Sequence, residues 1–130
     1  MNIMYLSFID SKNKSNLGLV KKIKGQVKGL RLNNNNVSYT IIEGENLLYY
    51  DFDDKREIIC TIDEKMRSSL YNHEILKIIK RLKIDILYIR YNLFEYSFMK
   101  FLKLAKNLNI KIYIEIPTYP YISIHQKSHG

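Results

Sequence analysis

The stretch Ile84-Asp85-Ile86-Leu87-Tyr88-Ile89-Arg90-Tyr91 decides the fold class of this chain. Its residues are mostly apolar, and many are β-branched or aromatic, which favours an extended strand. A nearly continuous apolar run before Arg90 indicates a strand that is buried on both faces, as in the centre of a parallel sheet. Parallel strands require long crossover connections, which are usually helices.

The segments around this strand carry helical and extended patterns in alternation. Apolar residues recur at helical spacing in segments 19–30, 70–82 and 94–108, and extended patterns occupy 2–9, 37–43 and 111–116. A hairpin is predicted at 47–52 and 57–62. The sequence therefore predicts an α/β fold, with a doubly wound, mostly parallel Rossmann-like sheet, helices on both faces and a β-hairpin insertion.

The crossover rule also predicts the order of the strands. Right-handed connections favour the order 3-2-1-4-5, with the switch point between the first strand and the strand at 84–91. We expect residues 1–121 to form one domain and residues 122–130 to form a flexible tail. A chain of 130 residues is long enough for one core of this kind.

The charge of the chain favours an anionic partner. The formal net charge is +8, and residues 11–36 carry seven basic side chains and no acidic one. The electrostatic field of so many positive charges attracts nucleic acid, acidic lipid or phosphorylated small molecules. Lysine outnumbers arginine, and isoleucine and asparagine are abundant, so codon bias accounts for part of this basicity.

Composition argues against several classes of protein. No apolar run approaches the length of a membrane span, and the N-terminus has no signal-peptide pattern. The single cysteine, Cys60, rules out a disulfide framework and indicates a cytoplasmic location. No metal site is expected: Asp51 and Asp53 are typical of an exposed hairpin tip, and His125 and His129 lack a third ligand.

The candidate cleft lies at the carboxyl ends of the strands, beside the switch point, where open α/β sheets bind ligands. We expect three segments to converge there: Ser7 to Gly18, Arg90 to Asn92 and Glu115 to Tyr121. The following residues are predicted to line it: Gly18, Lys22, Arg90, Tyr91, Asn92, Glu115, Pro117, Thr118, Tyr119 and Tyr121. Arg90 suits a phosphate or carboxylate, and Glu115 can accept hydrogen bonds from sugar hydroxyls. Pro117 stiffens the loop that follows Glu115. The flat faces of the loop tyrosines can contact a sugar ring.

Two simpler interpretations stay open for these residues. Arg90 and Glu115 could form a salt bridge between neighbouring strand ends, with a structural role. Gly18 could let the backbone approach an anion near a helix N-terminus, or it could be an ordinary loop glycine. The chain has neither a G-x-G-x-x-G motif nor a Gly-Lys-Ser/Thr phosphate loop.

Three segments together resemble the N-terminal half of bacterial family 4 glycosyltransferases, which have the two-domain GT-B fold. They are Gly18-Leu-Val-Lys-Lys-Ile-Lys-Gly-Gln26, Tyr88-Ile-Arg-Tyr91 and Glu115-Ile-Pro-Thr-Tyr-Pro-Tyr121. The resemblance covers residues 1 to 121, and the last segment is its most specific part.

The resemblance implies a retaining transfer of a sugar from a nucleotide-sugar donor to a glycan or lipid-linked acceptor, as in polysaccharide biosynthesis. The matching domain would supply the acceptor side and bind no cofactor itself. The donor-binding domain, with its Glu-x₇-Glu motif, would lie outside this sequence, on a separate chain if the enzyme is split. We therefore expect this truncated domain to be inactive alone, with a basic face that contacts the anionic inner membrane.

The alternative hypothesis is a stand-alone basic flavodoxin-like module that binds nucleic acid or another polyanion. The lysine-rich helix faces and the 11 tyrosines motivate it. The tyrosines lie mostly within predicted strands and are not interleaved with the lysines, as a stacking groove requires, so nucleic acid is the less favoured partner. A receiver domain would need an acidic cluster after the first strand, where only Asp10 is close.

Overall fold

The computed structural model describes residues 1–61, 74–90 and 96–115, with the backbone alone for residues 96–98. The sheet consists of β1 (Asn2–Ser7), β2 (Asn36–Glu43), β3 (Asn46–Tyr50), β4 (Arg56–Thr61), β5 (Ile86–Arg90) and β6 (Lys111–Glu115). The α-helices of the described residues are α1 (Leu17–Leu32), α2 (Leu76–Arg81) and α3 (Tyr96–Lys106), and a 3₁₀ turn at Lys14–Asn16 precedes α1.

The six strands form one mixed sheet in the order β4-β3-β2-β1-β5-β6. Strand β1 pairs in parallel with both β2 and β5, and β5 pairs in parallel with β6. Strand β3 pairs in antiparallel orientation with both β2 and β4. The prediction of an α/β fold is confirmed, and β1 lies beside β5 as expected.

The predicted strand order contained one strand too few. Both strands of the hairpin, β3 and β4, belong to the sheet and extend it beyond β2. Gly44, with a φ of 67°, makes the tight β2–β3 turn that allows β3 to fold back on β2. Three of the five strand pairings are parallel, so the sheet is mixed.

Two groups of buried side chains form the core, and alternate residues of β1 divide between them. Ile3 and Tyr5 belong to a cluster that includes Ile23 and Val27 of α1. Met4 and Leu6 belong to the other cluster, which contains residues of α2, α3 and β5. This alternation follows from the two-residue period of a strand, which sends successive side chains to opposite faces.

A residue with positive φ follows each of the three helices. Asn34 after α1, Lys83 after α2 and Asn109 after α3 have φ values of 63°, 51° and 63°. Left-handed residues at this position satisfy the last free carbonyls of a helix, and asparagine tolerates that conformation better than most residues. Asparagine-rich segments therefore end α1 and α3, whereas Lys83 takes the left-handed conformation after α2.

Candidate functional site

Three residues form a row across the carboxyl ends of the parallel strands. Ser7 of β1 lies in register with Arg90 of β5, and Arg90 lies in register with Glu115 of β6. All three come from the segments that were predicted to meet at the switch point. The sequence therefore placed these three residues together correctly, although their binding role stays a prediction.

Arg90 and Glu115 form an ion pair within this row. Nη1 of Arg90 donates to Oε1 of Glu115 at 3.0 Å, and the hydroxyl of Tyr88 donates to Oε2 at 2.8 Å. The Arg90 side chain is only 6% exposed, whereas the Glu115 side chain is 27% exposed. The salt bridge considered from the sequence is thus present, and it leaves part of the carboxylate open to solvent.

The surroundings keep the tyrosines beside this pair protonated. Burial, together with the adjacent Glu115 carboxylate, raises the pKa of Tyr88 to about 12. Burial also raises the pKa of Tyr5, while the neighbouring Arg90 acts in the opposite direction. Both phenols are therefore hydrogen-bond donors at neutral pH, and Tyr88 donates to the carboxylate that Arg90 also holds.

The main feature that the sequence analysis missed is a row of tyrosines across five strands. In register, the row contains Tyr50 of β3, Tyr39 of β2, Tyr5 of β1, Tyr88 of β5 and Tyr113 of β6. Tyr5 and Tyr88 stack with ring centroids 4.8 Å apart, and so do Tyr39 and Tyr50. A signal existed: in β1, β5 and β6 a tyrosine stands two residues before Ser7, Arg90 and Glu115, respectively.

Ser7, at one end of the row, is buried, and its backbone contacts the side chain of Thr40 in β2. Its amide donates to Oγ1 of Thr40 at 2.9 Å, and the Thr40 hydroxyl lies 2.9 Å from the Ser7 carbonyl oxygen. Both residues are fully buried. These contacts fix the end of β1 against β2, so the floor of the candidate cleft is a rigid part of the sheet.

Gly18 and Lys22 lie near the start of α1, on exposed positions. Gly18 is the second residue of the helix, because α1 begins at Leu17, and an added Cβ would meet no atom within 4 Å. Lys22 precedes Gln26 by one helical turn, and Gln26 Oε1 accepts a 2.6 Å hydrogen bond from the Tyr5 hydroxyl. Lys22 therefore shares the side of α1 that faces the tyrosine row.

The other predicted cleft residues lie outside the described part of the chain. They are Tyr91, Asn92, Pro117, Thr118, Tyr119 and Tyr121. The predicted tail at 122–130 lies outside it as well. The candidate site that the structure defines therefore consists of the Ser7–Arg90–Glu115 row, Tyr88, Tyr5 and the adjoining turn of α1.

Two carboxylates of the β3–β4 connection, those of Asp51 and Asp54, have a structural role. Oδ1 of Asp51 accepts hydrogen bonds from the amides of Asp53 and Lys55 at 2.9 and 2.8 Å. Asp54 forms a 2.8 Å ion pair with Arg31. Within residues 1–61, 74–90 and 96–115, no group of three histidine, cysteine, aspartate or glutamate side chains is placed to hold a metal ion.

Chemically, the site offers a carboxylate whose partners are fixed and whose remaining surface faces solvent. Arg90 and Tyr88 fix the orientation of this carboxylate, so its free lone pairs can accept hydrogen bonds from a bound hydroxyl or amine. In the described segments, no helix is long and apolar enough to cross a bilayer. Comparison with protein-family models, curated proteins and solved structures gave no match to this chain.

Proposed function

We propose that this chain is the acceptor-side domain of a glycosyltransferase that moves a sugar from a nucleotide-sugar donor to a glycan or lipid-linked acceptor. The observation that carries the proposal is the partly exposed Glu115 carboxylate, held by Arg90 and Tyr88 at the carboxyl ends of β5 and β6. This edge is where ligands bind in open α/β sheets.

The fold supports the same proposal. Strand β1 contributes alternate residues to two core clusters, one with α1 and the other with α2 and α3. A doubly wound, Rossmann-like sheet with helices on both faces would give this distribution, and each half of a GT-B glycosyltransferase resembles such a sheet. We accordingly assign the switch point to the gap between β1 and β5.

In the proposed mechanism, this domain positions the acceptor and the donor is held elsewhere. Glu115 would accept hydrogen bonds from sugar hydroxyls, and the ion pair with Arg90 would keep its carboxylate in one orientation. The lysines near the start of α1 would favour an anionic acceptor or an anionic membrane surface. The residues that bind the nucleotide-sugar lie outside these 130 residues in this proposal, so the chain alone would transfer no sugar.

Two measurements test the proposal. Saturation-transfer NMR with methyl glycosides should show binding that falls at least several-fold in Glu115→Gln, because the variant loses the charged acceptor. The matched control is Glu43→Gln, since Glu43 lies at the end of β2, beyond the row. Transfer of sugar from a nucleotide-sugar by the pure 130-residue chain would contradict the assignment of an acceptor domain that is inactive alone.

The alternative of a nucleic-acid or polyanion module has weaker support. A stacking surface for bases needs exposed aromatic faces among the cations. Tyr5 and Tyr39 are 1% and 6% exposed and stack on Tyr88 and Tyr50, so their ring faces are not open for stacking with bases. A gel shift measured at two salt concentrations decides the question, because tight and steeply salt-dependent binding would favour the alternative.

A further inference from the structure

A second concave feature lies away from the carboxyl edge, between the later turns of α1, strand β2 and the β3–β4 connection. It has a volume of about 230 Å³. Its lining residues are Lys24, Val27, Lys28, Arg31, Tyr39 and Asp54, and we call it the α1–Tyr39 pocket. Its volume lies below the range of about 300–1,000 Å³ that is usual for drug-sized ligands, so it suits a small molecule.

The sequence spacing of α1 explains the basic side of this pocket. Lys24, Val27, Lys28 and Arg31 recur at helical spacing and therefore share one side of the helix. Val27 is buried, whereas Lys24 and Lys28 are exposed around it. The pocket thus has an apolar floor below two lysines that lie one helical turn apart.

Arg31 also lines the pocket, but other groups of the protein already bind its guanidinium. Its Nε and Nη2 donate to the carbonyl oxygen of Val37 at 3.2 and 2.8 Å, and Nη2 also donates to the carbonyl oxygen of Asp51 at 3.2 Å. Its Nη1 pairs with Asp54 at 2.8 Å. The guanidinium is therefore fixed in place, and the carboxylate beside it largely balances its charge.

The two lysines differ from Arg31 in this respect. Across the described residues, no carboxylate forms an ion pair with Lys24 or Lys28. Two unpaired ammonium groups above a concave surface attract an anion, and a tetrahedral oxyanion can bridge both of them.

Tyr39 supplies the remaining wall. The residue is 6% exposed, its ring stacks on Tyr50, and its hydroxyl forms no hydrogen bond with the described residues. Burial, with Asp54 adding to the effect, raises the pKa of Tyr39 to about 12. The phenol is therefore a neutral donor at physiological pH, and its ring can contact the organic part of a ligand.

We propose that the α1–Tyr39 pocket binds a small phosphate ester, with the phosphate between Lys24 and Lys28 and the organic part against Tyr39 and Val27. This inference goes beyond the proposed acceptor site and does not depend on it. The same phosphate chemistry is offered by a soluble phosphate monoester and by the headgroup of phosphatidic acid.

The test is a titration of the ¹⁵N-labelled chain with inorganic phosphate at constant ionic strength, followed by NMR. We expect amide shifts to change at Lys24, Lys28 and Tyr39, and affinity to fall about tenfold in the double variant Lys24→Gln/Lys28→Gln. The matched control is Lys14→Gln/Lys21→Gln, which removes the same charge elsewhere and should retain affinity. Amide spectra without ligand verify that each variant is folded.

Two single variants sharpen the test. Tyr39→Phe removes only the hydroxyl and should weaken binding by about two- to fivefold. Asp54→Asn removes the only carboxylate among the residues that line the pocket and should strengthen phosphate binding several-fold. Weaker binding in Asp54→Asn would mean that the anion does not sit beside this carboxylate.

A parallel arm uses vesicles of phosphatidylcholine with and without phosphatidic acid. Binding to inorganic phosphate supports a soluble ester as the ligand. Binding only to the vesicles with phosphatidic acid supports a lipid headgroup, provided that Lys24→Gln/Lys28→Gln abolishes this binding and the control variant does not. The proposal is overturned if neither probe binds, or if the pocket variant and the control variant lose affinity equally.

Discussion

The guanidinium of Arg90 donates to the carboxylate of Glu115 at 3.0 Å, and the two residues are direct register partners on neighbouring parallel strands. The pair is unequal in its exposure, because the arginine side chain is 6% exposed and the glutamate side chain is 27% exposed. Because of this difference in exposure, we expect removal of Glu115 and removal of Arg90 to lower the free energy of unfolding by different amounts.

A double-mutant cycle measures that difference. Glu115→Gln should lower the free energy of unfolding by about 3 kcal/mol, since it leaves a buried guanidinium without its counter-charge. Arg90→Met should cost less, about 1–2 kcal/mol, because Glu115 keeps its contact with water and with the Tyr88 hydroxyl. The double variant should be more stable than the sum of the two single effects predicts. Urea unfolding of the four proteins provides the measurement.

The exposed pair of Lys12 and Glu43 is the control for this cycle. Its atoms lie 3.9 Å apart, and the lysine side chain is 66% exposed. Neutralising either partner should change stability by less than about 0.5 kcal/mol. Equal effects for the two pairs would show that Arg90 is solvated and that its contact with Glu115 is incidental.

Alkaline pH should destabilise the protein through Tyr88 and Tyr39. The pKa of each is raised from 10.0 to about 12, chiefly by burial. The folded chain therefore keeps phenol protons that the unfolded chain has already lost, so stability is full below pH 10 and falls between pH 10 and 12. Urea unfolding at pH 9 and pH 11 should show this loss, and Tyr88→Phe should lose less stability than the parent chain over the same interval. An identical loss in Tyr88→Phe would show that Tyr88 titrates normally.

Arg31 connects the last turn of α1 to β2 and to the β3–β4 connection, and lysine cannot reproduce these contacts. Arg31→Lys removes the several hydrogen bonds of the guanidinium to Val37, Asp51 and Asp54 and should cost about 1–3 kcal/mol. Lys21→Ala, on an exposed position of the same helix, is the control and should lie within about 0.5 kcal/mol of the parent. Thermal unfolding followed by circular dichroism measures both.

Gly18 and Gly44 should respond to alanine in opposite directions. Gly18 is helical and an added Cβ would meet nothing, so Gly18→Ala should stabilise the protein by about 0.5–1 kcal/mol. Gly44 has a φ of 67°, so Gly44→Ala should destabilise it by about 1 kcal/mol. Destabilisation by Gly18→Ala would indicate that the helix begins later than Leu17.

Much of the fold could be predicted because its signals are local. Apolar periodicity predicted α1, and the apolar run ending at Arg90 predicted a central parallel strand. Right-handed crossovers then placed that strand, β5, beside β1. The start of α1 was predicted two residues late, since Leu17 and Gly18 form no apolar pattern of their own. The place of β4 at the sheet edge could not be predicted, because pairing of a hairpin with a distant sheet depends on non-local contacts.

Of the candidate site, the sequence could predict only the residues that lie at the ends of the strands. Ser7, Arg90 and Glu115 were expected together because the carboxyl ends of parallel strands share an edge. Tyr88 was missed because its hydrogen bond to Glu115 depends on the register between β5 and β6, which one sequence does not specify. The Arg31–Asp54 contact was also missed. It joins the end of a helix to a hairpin turn, and one sequence does not specify how these two elements pack.

The central claim is that the end of the Ser7–Arg90–Glu115 row binds a sugar. The most direct measurement is amide chemical-shift mapping of the ¹⁵N-labelled 130-residue chain during titration with the methyl glycosides of glucose, galactose, mannose and N-acetylglucosamine. The account predicts that at least one glycoside shifts the amides of Arg90 and Glu115 and leaves those of β4 unchanged. If all four leave Arg90 and Glu115 unshifted at saturating concentration, the assignment of this edge as an acceptor site is contradicted.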